Sequence, residues 1–300
     1  MRTGASVHMP TMWGDVLLLI KPGITLLVLI ATSVGYAMGS GGKVDGAHLG
    51  LVLVFTFLVG TGANSLNQFV ERDVDGRMAR TRNRPIPSGR MRPKAVLAGG
   101  VIASLVGVVG LALVANPLSA AIGLTVIITY VMLYTPLKQV TALNTLVGAV
   151  PGALPPVLGW AASSGELTQG ALALFLLQYV WQPPHVLAIA WRHRHDYAAA
   201  GMHMLVAGEP NAASTRRQVL IYSAVLIPLS LYPTQIGIAG DVYFWGALIV
   251  SVVFFAFGLA MAVKPTELTA KLVFKASLFY LPALFVLMLH DALPVSLLPF

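Results

Sequence analysis

Residues 48–75 read HLGLVLVFTFLVGTGANSLNQFVERDVD, an apolar segment that ends in a run of polar residues. Its first part, 48–69, contains no Asp, Glu, Lys or Arg and has the length of about 20 residues that crosses a bilayer as a helix. Eight further windows share this property: 22–40, 95–115, 118–135, 143–163, 170–190, 219–238, 243–263 and 276–290. The sequence therefore predicts an all-α, polytopic integral membrane bundle of nine transmembrane helices.

The composition supports this class and excludes others. Of 300 residues, 57% are hydrophobic and only 10% are charged, whereas soluble proteins carry about a quarter charged residues. Because the chain has no cysteine, disulfides and thiolate metal sites are impossible. We predict a single transmembrane domain, 1–300, with an N-terminal cytoplasmic segment of about 1–15. Long cytoplasmic loops at 70–94 and 191–218 are expected to carry catalytic residues.

The basic residues are distributed by side. If loops alternate across the membrane, one side holds 18 of the 19 basic residues and seven of the 11 acids. The other side holds Lys43 and four acids, so the sides carry +11 and −3, which sum to +8. The positive-inside rule places the basic side in the cytoplasm, in a cell (inner) membrane. The charge thus follows topology and does not indicate nucleic-acid binding.

The end of the second helix carries a polar stripe. At about 100° per residue, Asn67, Glu71 and Asp75 fall at about 0°, 40° and 80° on the helix. Two carboxylates one turn apart repel each other unless a cation compensates them. Oxygen ligands of this kind suit Mg²⁺, which is commonly held by one or two carboxylates and a substrate phosphate. The alternative interpretation is a solvated helix end.

Arginines follow the acids directly. Arg offers a planar fork that binds phosphate bidentately, so an acidic stripe beside an Arg cluster fits a metal-bound diphosphate. Anchoring to membrane lipid headgroups is the alternative. The arginines and the acidic stripe together predict a polar cavity on the cytoplasmic side. The candidate substrate-binding arginines here are Arg72, Arg77, Arg80, Arg82 and Arg84.

Two further polar groups point to the same side. Gln182 and His185 lie beside Pro183-Pro184 within the sixth helix, where polar residues are costly and indicate function. If that helix continues, Arg192 and Asp196 share the face of His185. A core histidine bonded to a neighbouring carbonyl is the alternative. At the end of the fourth helix stands Tyr134-x3-Lys138, where a tyrosine of the interfacial belt is the alternative.

These motifs resemble those of the UbiA-type intramembrane prenyltransferases over about residues 15–290. The resemblance rests on Asn67-x3-Glu71-x3-Asp75 with the Arg-rich segment after it, and on Tyr134-x3-Lys138. More specific stretches resemble the members that act on heme: 21–26 (KPGITL), 151–160 (PGALPPVLGW), 181–185 (WQPPH) and 196–202 (DYAAAGM). His185 stands near the place of the first acid in the general second motif.

The resemblance implies a nine-helix bundle that transfers farnesyl from Mg²⁺-bound farnesyl diphosphate to a vinyl group of heme b, giving heme O for terminal oxidase assembly. Heme A synthase or oxidase assembly proteins are the implied protein partners. The implied metal ligands are Asn67, Glu71, Asp75 and Asp196. Lys138 and His185 complete the catalytic candidates. The remaining substrate-binding candidates are Tyr134, Gln182, Arg192, Arg194 and Tyr197.

Two alternatives stay open at this point. One is a prenyltransferase of the same type whose acceptor is an aromatic quinone precursor. The other is a secondary transporter, which also places ionisable groups in a helical bundle. Every Asp, Glu, Lys and Arg lies at or beyond the end of a predicted helix, which favours an enzyme with a cytoplasmic mouth.

Overall fold

The computed structural model describes residues 11–203, 205–207 and 213–292. Within these ranges the chain forms helices and turns but no β-strand, apart from an isolated bridge between Ala239 and Ala292. A π-helical segment, Ile128–Tyr134, and a 3₁₀ turn, Leu205–Ala207, supplement the α-helices. The α-helices are α1 Met12–Ile20, α2 Pro22–Gly39, α3 Gly46–Asp75, α4 Pro93–Val114, α5 Pro117–Ile127, α6 Thr135–Leu137, α7 Asn144–Ser164, α8 Gln169–Arg192, α9 Arg194–Ala199, α10 Ala213–Gln235, α11 Asp241–Val263 and α12 Glu267–His290.

The predicted polytopic helical membrane bundle is confirmed. In the described part of the chain, eight helical runs are long and apolar enough to cross a membrane: α2, α3, α4, the continuous run Pro117–Leu137, α7, α8, α11 and α12. The predicted window 219–238 falls on α10, which is 23 residues long but is not among the eight. Serines, tyrosines, prolines and a terminal glutamine make α10 less apolar, so the count of nine is not confirmed.

Two helices pack closely at positions occupied by glycine, because glycine has no side chain. A Cβ on Gly35 of α2 would lie 1.9 Å from the carbonyl oxygen of Pro156 in α7. A Cβ on Gly159 of α7 would lie equally close to the carbonyl oxygen of Thr32. Helices in a bilayer associate largely through such close packing of small residues. The α2–α7 contact therefore depends on both glycines.

The structure shifts the boundaries of the predicted segments. Helix α3 continues to Asp75, so the first long connection begins at Gly76. Helix α1 begins at Met12, inside the segment predicted over about 1–15, of which 1–10 lie outside the described residues. Helix α8 ends at Arg192, is interrupted at His193 (φ −110°, ψ 17°) and restarts as α9, so the condition for Asp196 to share the face of His185 is not met, whereas Arg192 still belongs to α8. The described part of 191–218 is thus partly helical.

Candidate active site

The predicted acidic stripe is buried. Asn67, Glu71 and Asp75 retain 1%, 4% and 1% of their accessible surface, so they point into the protein and away from lipid. They lie on the last turns of α3, where the apolar sequence of the span gives way to polar residues. Buried carboxylates need paired cations or hydrogen bonds to offset desolvation. Their partners therefore define the site.

Two cations from other parts of the chain meet these carboxylates. Lys138, directly after α6, places its Nζ 2.7 Å from Oε1 of Glu71. Arg84, in the connection after α3, places one guanidinium nitrogen 2.5 Å from Oδ2 of Asp75 and 3.8 Å from Oε2 of Glu71. Three segments of the chain thus converge on one charged cluster. We refer to Glu71, Asp75, Arg84, Lys138 and the residues Asn67 and Lys21 beside them as the charged cluster.

Lys21 is the member of the cluster that the sequence interpretation missed. Its Nζ lies 3.0 Å from Oδ1 of Asn67 and 3.4 Å from the hydroxyl oxygen of Tyr130. Burial, followed by repulsion from Arg84 and Lys138, lowers the pKa of Lys21 to about 7. The available signal is the stretch 21–26 (KPGITL), which carries part of the family resemblance but gives Lys21 no role in the site.

The elbow between α1 and α2 fixes the position of Lys21. Lys21 has φ 53°, the left-handed region, and is the one described non-glycine residue with positive φ. Two buried amides of α3 hold the end of α1: Asn64 donates to the carbonyl of Ile20, and Gln68 to those of Leu18 and Leu19. These bonds satisfy carbonyls that a helix end leaves unpaired. The elbow is therefore clamped to the helix that carries the acids.

The oxygen atoms of the cluster fit a divalent cation. Asn67 donates its Nδ2 to the hydroxyl of Thr135 at 3.0 Å, which orients its Oδ1 toward Lys21 and the cluster. Oδ1 of Asp75 is buried and has no hydrogen-bond partner among the described residues. An orphaned buried carboxylate oxygen beside other oxygen donors is chemically suited to Mg²⁺.

Asp196 does not join these ligands. Among the described residues, no three of His, Cys, Asp and Glu come together as a metal cluster. The Asp196 side chain is 40% exposed, and its Oδ2 lies 3.9 Å from Nδ1 of His193. Because the helix breaks at His193, Asp196 also does not share one continuous helical face with His185. A metal role for Asp196 stays a prediction.

An apolar cavity of about 270 Å³ borders the charged cluster. Two tyrosines line the cavity and also contact the charged cluster. Tyr130 contacts Lys21, and the ring centroid of Tyr134 is 4.3 Å from Nζ of Lys138. The two tyrosine rings stack at 5.6 Å within the π-helical segment. The other lining residues are Ile24, Val28, Gly60, Ala63, Asn64, Val126, Thr145, Gly148, Ala149, Pro151, Gly152, Gln182 and Val186. The site thus suits an amphiphile with an anionic head and an apolar tail.

His185 lies on another side of α8 and contacts α12. Its ring packs between Trp181, at 4.7 Å between centroids, and Phe274, at 5.3 Å. Its Nδ1 is 2.7 Å from Oγ of Ser277, which itself donates to the carbonyl of Phe274. Ser277 therefore accepts from Nδ1–H, and Nε2 of His185 carries the lone pair. Gln182, in contrast, lines the cavity and donates to the carbonyl of Ala149.

The remaining predicted residues lie around the junction of α8 and α9, which we call the mouth of the site. Arg192 is exposed, and Arg194 packs over the ring of Trp191 at 4.7 Å. Burial raises the pKa of the Tyr197 hydroxyl, while Arg80 and Lys138 oppose this rise. The Tyr197 hydroxyl therefore lies within electrostatic range of Arg80, in the connection after α3, and of Lys138 in the charged cluster.

The predicted arginine cluster divides into two groups. Arg84 alone among its five members pairs with Glu71 and Asp75 within the described residues. Arg72 turns back over Phe69, with its guanidinium carbon 4.7 Å from the ring centroid. The other three are exposed: Arg77, Arg80 and Arg82.

The described helices form a multi-span bundle in which a charged cluster borders an apolar cavity, and a match to a family model assigns this bundle to the prenyltransferases. The chain belongs to the UbiA prenyltransferase family, whose sequence model matches residues 28–284. It is 42% identical over 286 residues to a protoheme IX farnesyltransferase from Solibacter usitatus, covering 92% of this chain and 98% of the relative. A protoheme IX farnesyltransferase from Myxococcus xanthus is 39% identical over 292 residues, covering 95% and 97%.

Solved structures share the fold. One described as a digeranylgeranylglyceryl phosphate synthase in membranes has a TM-score of 0.79 at 17% identity, covering 93% of this chain and 98% of the other. A UbiA homologue from Archaeoglobus fulgidus, bound to DMAPP and Mg²⁺, has a TM-score of 0.64 at 17% identity, covering 91% and 99%. At this identity the likeness supports the fold.

Proposed function

We propose that the chain transfers farnesyl from farnesyl diphosphate to a vinyl group of heme b, giving heme O for terminal oxidase assembly. Farnesyl diphosphate is supported as the donor substrate by the contact between the charged cluster and the apolar cavity. The acceptor is supported by relatives named protoheme IX farnesyltransferase at 37–42% identity. Heme A synthase or oxidase assembly proteins are the proposed partners for the product.

The diphosphate is proposed to bind at the charged cluster. Lys21, Arg84 and Lys138 outnumber the two carboxylates, so the cluster favours an anion when Lys21 is protonated. Asn67, Glu71 and Asp75, with Asp196 as a further ligand, are the proposed ligands of Mg²⁺, which when bound neutralises charge on the leaving diphosphate. Arg72, Arg77, Arg80 and Arg82 are proposed to attract the anion at the mouth.

The reaction begins when the bond between the first farnesyl carbon and oxygen breaks and diphosphate leaves with the electron pair. Lys138 and Arg84 donate to the departing oxygens in a buried site, where such interactions are strongest. The stacked rings of Tyr130 and Tyr134 face the cavity and stabilise the allylic cation. The apolar walls exclude water until the carbon–carbon bond has formed.

The vinyl group of heme then supplies the electron pair of the new carbon–carbon bond. The cation that results next to the porphyrin ring takes up water and loses a proton, which gives the hydroxyl group of the product. Gln182 and His185 on α8, with Arg192, Arg194 and Tyr197 at the mouth, are proposed to contact this acceptor. We also propose that the loops bearing the site face the cytoplasm of a cell inner membrane, because these loops carry the basic residues.

Mass analysis of the heme products tests this function. The purified protein is incubated with farnesyl diphosphate and Mg²⁺, together with either heme b or 4-hydroxybenzoate. We expect a farnesylated, hydroxylated heme and no prenylated benzoate. Prenylated benzoate alone would assign the quinone-precursor reaction instead, and substrate flux without release of diphosphate would indicate a transporter.

A further inference from the structure

The cavity is elongated along the helices that line it. On α3 its lining extends from Asn64 back to Gly60, seven residues before Asn67 of the charged cluster. At 1.5 Å per residue this separation is about 10 Å. On α7 the lining runs from Thr145 to Gly152, an interval of the same length. Gly60 therefore marks the end of the cavity that lies farthest from the diphosphate site.

Gly60 lines the cavity and lies on the same face of α3 as the polar stripe. Gly60, Asn64, Asn67 and Glu71 follow the spacing i, i+4, i+7 and i+11, which places them on one face of α3. A Cβ added at Gly60 would meet no heavy atom within 4 Å. Because this face borders the cavity, the open space beside Gly60 is cavity volume.

The two cavity glycines of α7 differ from Gly60. A Cβ at Gly148 would lie 2.5 Å from the ring of Tyr134, and one at Gly152 would lie 2.1 Å from Oε1 of Gln182. Those two glycines permit close packing of the cavity wall, whereas Gly60 leaves space empty of protein. Gly60 is thus the cavity glycine at which a larger side chain would displace ligand without first displacing protein.

We propose that Gly60 sets the length of prenyl chain that the site accepts. With the diphosphate held at the charged cluster, the terminal isoprene unit of farnesyl lies beside Gly60. A leucine side chain is close in size to one isoprene unit, so Gly60→Leu fills the space of the last unit and leaves room for geranyl. This inference rests on the proposed function in taking farnesyl as the natural chain.

Binding of two thiolodiphosphate analogues, geranyl and farnesyl, to the purified full-length protein with Mg²⁺ tests the proposal. The wild type should bind the farnesyl analogue more tightly. Gly60→Leu should weaken farnesyl binding at least about tenfold, as expected when a hydrophobic pocket loses room for a group of this size. The affinity for geranyl should change much less, and Gly60→Ala should give an intermediate ratio.

Gly50→Leu is the matched control. Gly50 lies on the same helix, is exposed, does not line the cavity and also has no atom within 4 Å of an added Cβ. It should leave both affinities at their wild-type values. If Gly60→Leu fails to accumulate in the membrane, the ratio measured for Gly60→Ala decides.

An unchanged ratio of the two affinities in the Gly60 variants, or an equal loss of both, would overturn the proposal. The binding assay needs no acceptor. A protein that binds the analogues with the expected preferences but does not modify heme would therefore contradict the heme reaction and leave the role of Gly60 supported. A wild type that binds neither analogue would overturn the chain-length proposal together with the donor assignment.

Discussion

The end of α3 and the junction of α8 with α9 both bring polar residues out of apolar helices, but they are built differently. On α3, Glu71 and Asp75 are almost fully buried and are paired with Lys138 and Arg84 at 2.7 and 2.5 Å. At the α8–α9 junction, the Asp196 side chain is 40% exposed, and its Oδ2 lies 3.9 Å from Nδ1 of His193. One region is a closed ion cluster, whereas the other is an open mouth.

This difference follows from helix continuity and suggests a division of labour. Helix α3 runs unbroken through Asp75, so its stripe is presented rigidly to cations from other segments. Helix α8 stops at Arg192, and α9 begins at Arg194 after the non-helical residue His193. A charge that must develop on a leaving group is best stabilised by groups fixed in advance. The α3 end therefore suits the diphosphate, and the α8 side suits the larger acceptor.

Removing a carboxylate from the α3 cluster should have the largest effect. Asp75→Asn takes away the proposed cation ligand while keeping side-chain volume, and should lower kcat/KM by about a hundredfold or more. The rate of heme product formation at saturating Mg²⁺ measures it. Asp73→Asn is the control, since the Asp73 side chain is 76% exposed two residues away. Equal rates for both variants would contradict the metal assignment.

A substitution of Lys21 should have the second-largest effect on activity. Lys21→Met removes a partly buried cation that contacts Asn67, and should raise the KM for farnesyl diphosphate by about tenfold, the value of a charge-assisted hydrogen bond. Lys21→Arg, which keeps the charge, should recover part of this loss. Lys43→Met is the control, because Lys43 follows the other end of α2. A Lys21→Met enzyme with unchanged KM would exclude Lys21 from the donor site.

A substitution of His185 should distinguish the acceptor side at α8 from the donor side at α3 through its different effects on kcat and on the KM for farnesyl diphosphate. His185→Phe keeps the stacking on Trp181 but loses Nε2 and the hydrogen bond to Ser277. We expect a loss of about tenfold in kcat with heme b, within the range for a single group that assists the reaction, and an unchanged KM for farnesyl diphosphate. Ser277→Ala serves as control for the lost hydrogen bond. If both variants turn over like wild type, His185 only supports helix packing.

Asp196→Asn should have the smallest effect, a few-fold loss of kcat/KM, because Asp196, although proposed as a further Mg²⁺ ligand, is 40% exposed and does not come together with the other acids as a metal cluster among the described residues. Glu166→Gln, an exposed acid after α7, is the control. A loss as large as that of Asp75→Asn would show that the junction closes onto the α3 cluster when substrate binds. The contrast between an ion cluster and an open mouth would then hold for the empty protein alone.

The helical membrane class and one face of the site could be predicted from the sequence without any coordinates. Apolar windows of bilayer length predicted the spans, and the four-residue spacing predicted that Asn67, Glu71 and Asp75 share a face of α3. Both are local properties, because a helix in lipid must satisfy its own backbone and its period is fixed by geometry. The interruption of α8 at His193 has no glycine or proline signal in the sequence, so only the structure shows that Asp196 leaves the helical face of His185.

Which residues meet in the site follows from the packing of the helices. Lys21 and Asn67 are 46 positions apart in the chain, and Lys138 and Glu71 are 67 apart. Contacts at such separations depend on how the helices pack and on the elbow at Lys21, neither of which leaves a periodic trace in the sequence. For the same reason the open space beside Gly60 became visible only when the surrounding helices were in place.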